Sequence, residues 1–239
     1  MDSAPLLQID GLGKRFGAKV AVDGLSFSVA AGEIVGLLGP NGAGKSTTFL
    51  ALAGFLRPEA GTISWNGVAL GHDRGRTIAL IPETPEVYPL LTVWEHLVFV
   101  AKSNALAPGW EKKAGELLER LGLGGERDTL GRALSKGMRQ KTLIAATLLA
   151  DTPVLLLDEP MIGLDPQGQR ELREMLFDLR TTGKAIVIST HMIEQAQQLC
   201  DRIVILKDGL FVAAGTFDEL RERVGREDAE ELFLELTRA

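Results

Sequence analysis

The sequence predicts an α/β fold: a mostly parallel sheet, an antiparallel β subdomain on its N-terminal side, and a helical subdomain inserted into the core. Three observations carry that prediction. Short apolar runs alternate with longer helical patterns through most of the chain, as parallel strands joined by crossover helices require. The first part departs from this, with strand-like alternation in Leu6-Leu7-Gln8-Ile9 and Leu25-Ser26-Phe27-Ser28-Val29. The stretch from Thr92 to about Ala150 reads as almost all helix and lies between two core strands.

In chain order, the antiparallel part continues with Thr62-Ile63-Ser64-Trp65 entering Asn66-Gly67, a strand followed by a tight hairpin turn. The buried-strand patterns are Ile34–Leu38, Ile78–Ile81, Val154–Leu157 and Ala185–Ser189, each an apolar run bounded by polar or turn residues. Helices are expected from Lys45, from Thr92, over about Trp110–Leu121, over Ser135–Ala150 and over Pro166–Arg180. Thr92 with Glu95, and Thr216 with Glu219, have capping-box spacing. Ile203–Leu206, Lys207-Asp208-Gly209 and Leu210–Ala213 read as a closing hairpin, and the charge-rich Glu222–Arg238 as a surface helix. The expected organisation is one domain over 1–239: a core with the β subdomain at about 1–91 and 151–220, the helical subdomain at about 92–150, and a C-terminal surface helix at about 221–239. No repeat or low-complexity linker is present.

The chain has 239 residues, 45% hydrophobic and 24% charged, an ordinary globular balance that argues against disorder as the main state. With 26 basic against 32 acidic residues the net charge is −6, a poor match to broad nucleic-acid binding. The single cysteine, Cys200, excludes an internal disulfide, suits a reducing compartment and reads as a small buried thiol. Met1 to Leu7 lack the basic start and long apolar core of a signal peptide. The longest apolar stretch, Leu143–Ala150, is far short of the roughly 20 residues of a membrane span. Any membrane work therefore passes through a partner.

The strongest motif is Gly39-Pro40-Asn41-Gly42-Ala43-Gly44-Lys45-Ser46-Thr47, which fits G-x-x-x-x-G-K-[ST] with a buried strand before it and a helix-forming run after it. Glycines let the backbone wrap closely round phosphate oxygens. The loop N–H groups and the positive helix end cradle the anion. Lys45 adds a full charge on the β and γ phosphates, and Ser46 a hydroxyl ligand for Mg²⁺. This is the pattern of a P-loop NTPase core.

Val154–Leu157 ends in Asp158-Glu159-Pro160. A buried strand delivers both carboxylates to the carboxyl edge of the sheet, where open α/β folds bind ligands. Asp158 is expected to hold Mg²⁺ through water, and Glu159 to act as general base on the water that attacks the γ-phosphate. Alone, this pattern is equally an acidic turn; beside the phosphate loop it is not. His191, after Ile186–Ser189 and Thr190, reaches the same edge and is placed either for a γ-phosphate contact or for the structural role that a lone histidine at a strand end more often has, whereas His72 and His96 lack that context and read as structural.

Further segments appear in the order of the ATP-binding cassette family. Leu134-Ser135-Lys136-Gly137-Met138 resembles its L-S-G-G-Q signature, Gly163-Leu164-Asp165-Pro166 the loop after the second carboxylate motif, and Ser189-Thr190-His191 the switch histidine. Ile81-Pro82-Glu83 falls where the family has its lid-loop glutamine, and Phe16 where an aromatic ring stacks on adenine. The resemblance covers almost the whole chain. It implies an ATPase that uses ATP and Mg²⁺, with Glu83 as a further metal contact beside Ser46 and Asp158. It also implies a head-to-tail dimer in which Ser135, Lys136, Gly137 and Met138 of one chain cap the ATP held by Lys45 of the other, with Asp165 in the dimer loop. Lys136, Met138 and Glu83 depart from the commonest pattern, as does Met161-Ile162 before Gly163; the Glu83 change bears on its metal contact. Leu-Ser-Lys-Gly-Met with Pro-Glu looks like bacterial subunits serving export-type permeases.

The resemblance therefore implies a peripheral subunit on the cytoplasmic face of the cell membrane, pairing as a homodimer or heterodimer and driving a transmembrane permease, with no nucleic-acid partner. Tyr88, Pro89, Leu90, Leu91 and Trp94 are either a docking patch for that permease or an internal hydrophobic staple on the Thr92 helix. Two alternatives stand beside it. A soluble cassette ATPase acting on nucleic acid or ribosomes usually carries long coiled-coil or zinc insertions or a second cassette, none of which is present. A small-molecule kinase shares the phosphate loop but not the signature and His191 segments.

Overall fold

The computed structural model describes residues 5–226 and 228–237. The chain runs β1 (Pro5–Phe16), β2 (Lys19–Ala30), β3 (Ile34–Leu38), α1 (Lys45–Leu52), β4 (Ala60–Trp65), β5 (Val68–Ala69) and β6 (Ile78–Ile81). It continues through α2 (Val93–Ser103), α3 (Trp110–Arg120), α4 (Lys136–Leu149), β7 (Val154–Asp158), α5 (Pro166–Thr181), β8 (Ala185–Thr190) and α6 (Ile193–Leu199). It closes with β9 (Arg202–Lys207), β10 (Leu210–Gly215), α7 (Phe217–Val224) and α8 (Ala229–Thr237). Short 3₁₀ turns lie at Gly124–Glu126 and Gly131–Ala133, before α4.

The strands join in the order β5-β4-β1-β2-β10-β9-β3-β8-β7-β6. β1 pairs antiparallel with β2 and β4, and β4 with β5. The β4–β5 turn is Asn66-Gly67, with φ of 48° and 75°. Two left-handed residues are what a two-residue type I′ turn needs to match the strand twist. β3 pairs parallel with β8 and β9, and β8 with β7. Every residue of β3, β7 and β8 is buried, so these strands run apolar without alternation until their carboxyl ends, where Asp158 closes β7 and Ser189 and Thr190 close β8. Their carboxyl ends open into the loops that begin at Gly39, Glu159 and His191.

The antiparallel and parallel strands share one core. Phe49 and Leu52 of α1 pack with Leu7, Ile9 and Leu25 and with Val35, Leu37, Leu156 and Val187. Each such fully buried side chain contributes about 1.5–3 kcal/mol. A second core joins Ile193 and Ala196 of α6, Phe217 and Leu220 of α7, and Ala229 and Leu232 of α8 to Leu38, Ile203 and Ile205.

That second core corrects the C-terminal expectation. Residues from 217 form two helices rather than one, because Gly225 at φ 70° ends α7. Leu232 is fully buried, so α8 is anchored by an apolar face. Arg238, the expected end of the helix, lies outside the described residues.

The chain divides into two compact units. One comprises Met1–Leu80, Pro153–Glu159 and Leu179–Ala239, the other Ile81–Thr152 and Pro160–Asp178. The second is wider than the expected 92–150 span, since it takes in the segment after β6 and most of α5. Within it α2 and α3 pack on α4, and Thr92 caps α2 through a capping box. Trp94 does not join Tyr88: its ring stacks on Trp110 at 5.5 Å, with the Arg127 guanidinium 3.4 Å from its centre. Tyr88 instead packs edge-on against Phe99 at 5.4 Å. Among the described residues no helix is long and apolar enough to cross a membrane.

Candidate active site

The phosphate loop is shaped by backbone proximity. A Cβ on Gly39 would sit 2.3 Å from the Leu206 carbonyl oxygen, and one on Gly44 2.4 Å from that of Ala21. Gly44 also lies at φ 102° as the N-cap of α1, a position that L side chains resist. No acidic residue occupies the first turn of α1, so its amide-rich end is electrostatically open to an anion. Pro40, Asn41 and Gly42 are exposed at the loop tip, Ala43 is buried, and the Ala43 carbonyl accepts the Gly209 N–H at 3.1 Å. Ser46 is exposed and Thr47 half-buried.

Lys45 is 6% exposed. Its ammonium donates to the Gly39 carbonyl at 2.7 Å and the Pro40 carbonyl at 3.3 Å, and lies 3.8 Å from Glu159 Oε1. The same Glu159 oxygen is 2.9 Å from His191 Nδ1. Residues far apart in sequence thus form one chain of polar contacts, Lys45–Glu159–His191, across three loops at the sheet edge. Asp158 and Glu159 are buried, whereas the His191 side chain is 41% exposed. Glu159 has φ 47°, a left-handed backbone that turns its side chain away from the strand direction. The Ser189 hydroxyl donates to Asp158 Oδ1 and accepts the Glu159 N–H at 3.0 Å.

The remaining expected residues stand apart from this chain of contacts. Phe16 ends β1 half-exposed, with the Lys14 ammonium 5.5 Å from its ring centre. Glu83 is exposed in the loop after β6, in the second unit. That unit also holds Ser135, whose hydroxyl caps α4 by accepting the Met138 N–H at 3.2 Å. A Cβ on Gly137 would come within 3.1 Å of the Gly163 carbonyl, and the Lys136 stem lies over Gly163. Asp165 caps α5, accepting the Gly168 N–H at 2.9 Å, with Pro166 at the first helical position.

Among the described residues no three His, Cys, Asp or Glu side chains gather as a metal-holding group. The oxygen donors expected to hold a metal in this unit are the Ser46 hydroxyl at the start of α1 and the Asp158 carboxylate at the end of β7. Hard oxygen donors in small number suit Mg²⁺, which completes its shell with water and phosphate oxygens.

Two residues escaped the sequence reading of the site. Ser189 enters that reading only within Ser189-Thr190-His191; its signal is a hydroxyl directly after the apolar run Ala185–Ile188. Arg74 is 6% exposed and donates from Nη1 to the Ala51 carbonyl at 2.8 Å and the Leu52 carbonyl at 3.3 Å, closing the end of the phosphate helix. No pattern announces it. The structural reading of His96 agrees with its bonds: Nδ1 lies 2.6 Å from the Thr92 carbonyl, and Nε2 accepts the Tyr88 N–H at 2.9 Å. Cys200 is partly buried, and burial, reinforced by Asp201, pushes its thiol well above the ordinary range.

Residues 22–162 match the family model described as ABC transporter. The chain is 40% identical to the Nod factor export ATP-binding protein I of Ralstonia nicotianae over 222 residues, covering 91% of this chain and 69% of that one. It is 36% identical to the ABC-type transporter ATP-binding protein EcsA of Bacillus subtilis, covering 98% and 97% of the two chains. A solved structure of an ATP-binding subunit of an ABC transporter superposes with a TM-score of 0.91 at 37% identity, over 97% of this chain and 99% of the other. With a family match over more than half its length and a relative paralleled almost end to end, the chain belongs to the ABC transporter family, as one of its ATP-hydrolysing subunits.

Proposed function

We propose that two copies of the chain, or this chain and a close relative, clasp two ATP molecules between them and drive a separate membrane-embedded permease, in the direction of export. The observation that carries the reading is the linked trio Lys45, Glu159 and His191 at the mouth of an amide-lined loop. Lys45 neutralises the β and γ phosphates. Glu159 takes the proton of the attacking water, and His191 orients Glu159 and faces the γ-phosphate. Phe16 supports the adenine. Mg²⁺, when bound, screens the phosphate charge, and Ser46 and Asp158 would hold it. Ser135, Lys136, Gly137 and Met138 offer a helix start to the partner's nucleotide.

Export is supported by the printed names of the relatives, which include Nod factor export and lipopolysaccharide export ATP-binding proteins. An exposed apolar hollow lined by Tyr88, Pro89, Leu90, Leu91 and Phe99 supports a docking surface for the permease, with the subunit peripheral on the cytoplasmic membrane face in this reading. The test is Glu159→Gln: it binds ATP, hydrolyses it at least a hundredfold more slowly, and accumulates as an ATP-loaded dimer on gel filtration. Undiminished hydrolysis overturns the assigned base, and a monomer under ATP loading overturns the clasp.

A further inference from the structure

We propose that Ser189 is a positioning residue of the hydrolytic centre, setting the rotamer of Asp158 and the backbone of Glu159 with one buried hydroxyl. Ser189 is fully buried and sits directly opposite Asp158 in the parallel β7–β8 pairing. Its O–H donates to Asp158 Oδ1, so one carboxylate oxygen is tied and rotation about the Asp158 side chain is stopped. Its lone pair accepts the Glu159 N–H at 3.0 Å, and the same N–H also reaches the Ser189 carbonyl at 3.2 Å. Glu159 is a non-glycine residue at φ 47°, a conformation that persists only where its surroundings dictate it. The amide that Ser189 holds is therefore the one whose orientation swings the Glu159 carboxylate towards Lys45 and His191. A serine hydroxyl is the smallest group that donates and accepts at once. In the rest of β8 before it, Ala185 to Ile188, every residue is apolar, so nothing else in that stretch of strand supplies such a group.

The inference rests on the assignment of Glu159 and Asp158 above, and its test separates the two. Ser189→Ala and Ser189→Cys are compared with Ser189→Thr and with Glu159→Gln, each checked for melting temperature. Three quantities are read: kcat and KM for ATP, the affinity for a fluorescent ATP analogue without Mg²⁺, and the Mg²⁺ concentration giving half the full gain in analogue binding. Ser189→Ala and Ser189→Cys are expected to lower kcat tenfold or more and to raise the Mg²⁺ half-point severalfold. Analogue affinity without Mg²⁺ stays within twofold, because Lys45 and the phosphate loop are untouched. Ser189→Thr, which keeps the hydroxyl, recovers kcat to within about threefold of wild type; if its extra methyl lowers the melting temperature, the Ser189→Cys result decides. Ser189→Ala and Ser189→Cys with wild-type kcat and Mg²⁺ half-point, beside an inactive Glu159→Gln, sink this inference alone. An active Glu159→Gln sinks the assignment beneath it. Loss of Mg²⁺-free analogue binding in folded Ser189→Ala also overturns the proposal, since it reveals a general structural role.

Discussion

Replacing Gly44 with alanine tests how tightly the phosphate loop is held by its own backbone. The residue sits at φ 102°, where an L side chain costs about 1–2 kcal/mol. Its new Cβ would lie 2.4 Å from the Ala21 carbonyl oxygen and 3.1 Å from Val22 Cγ2. Ala21 is held in β2 between Val20 and Val22, which pair with Arg15 and Lys14 of β1, so the oxygen has little room to swing aside, and the overlap adds about 1–3 kcal/mol. The sum is about 2–5 kcal/mol, or a fall in melting temperature of roughly 4–20 °C for a chain of this size. Gly42→Ala is the internal control: φ is 85° but nothing lies within 4 Å of the added carbon. It therefore carries the dihedral cost alone, about 2–8 °C. Calorimetry measures both, and titration with a fluorescent ATP analogue measures the loop. Gly44→Ala is expected to lose at least tenfold in affinity, and Gly42→Ala much less. Two variants that melt together and bind alike would refute the argument that contact with β2 shapes the loop.

Thr92→Ala removes the side-chain acceptor for the Glu95 N–H at 3.1 Å and is expected to cost about 1 kcal/mol by urea denaturation, with ATP affinity unchanged. Arg74→Met leaves the Ala51, Leu52 and Gly71 carbonyls without this donor; it is expected to lower stability by about 1–3 kcal/mol, and an unshifted urea midpoint would show those bonds to be idle. Cys200 is expected to resist N-ethylmaleimide at pH 8 in the folded chain and to react once urea unfolds it. Because its thiol is raised in the folded state, only the unfolded chain releases that proton above pH about 8.5, so the contribution of Cys200 to stability falls as pH rises further. A melting curve of Cys200→Ser that shows the same alkaline slope would contradict this.

Local chemistry made much of the molecule legible. Asn66-Gly67 can be nothing but a left-handed turn between its flanking residues, and it is one. The runs 34–38, 154–157 and 185–188 are apolar without alternation because both faces of their strands are covered. The G-x-x-x-x-G-K-[ST] spacing and the carboxylates after Leu157 mark chemistry because few other uses require those residues there. The end of the chain misled for the opposite reason. Charge density between 222 and 238 reads as a solvated face, yet Ala229 and Leu232, with Phe233 and Leu236 packed beside them, seat α8 on its core.

By itself, then, the sequence determined most of the elements before residue 217, the phosphate loop and the family, since each depends on residues close together along the chain or in fixed order. Only the tertiary structure decided that β3 lies between β9 and β8, that Lys45 and His191 meet on one oxygen of Glu159, and that Ser189 ties Asp158 to Glu159. Those facts join residues far apart along the chain, on different strands, helices and loops. Strand order and register follow from how the whole apolar surface is buried at once, and no local pattern contains that sum.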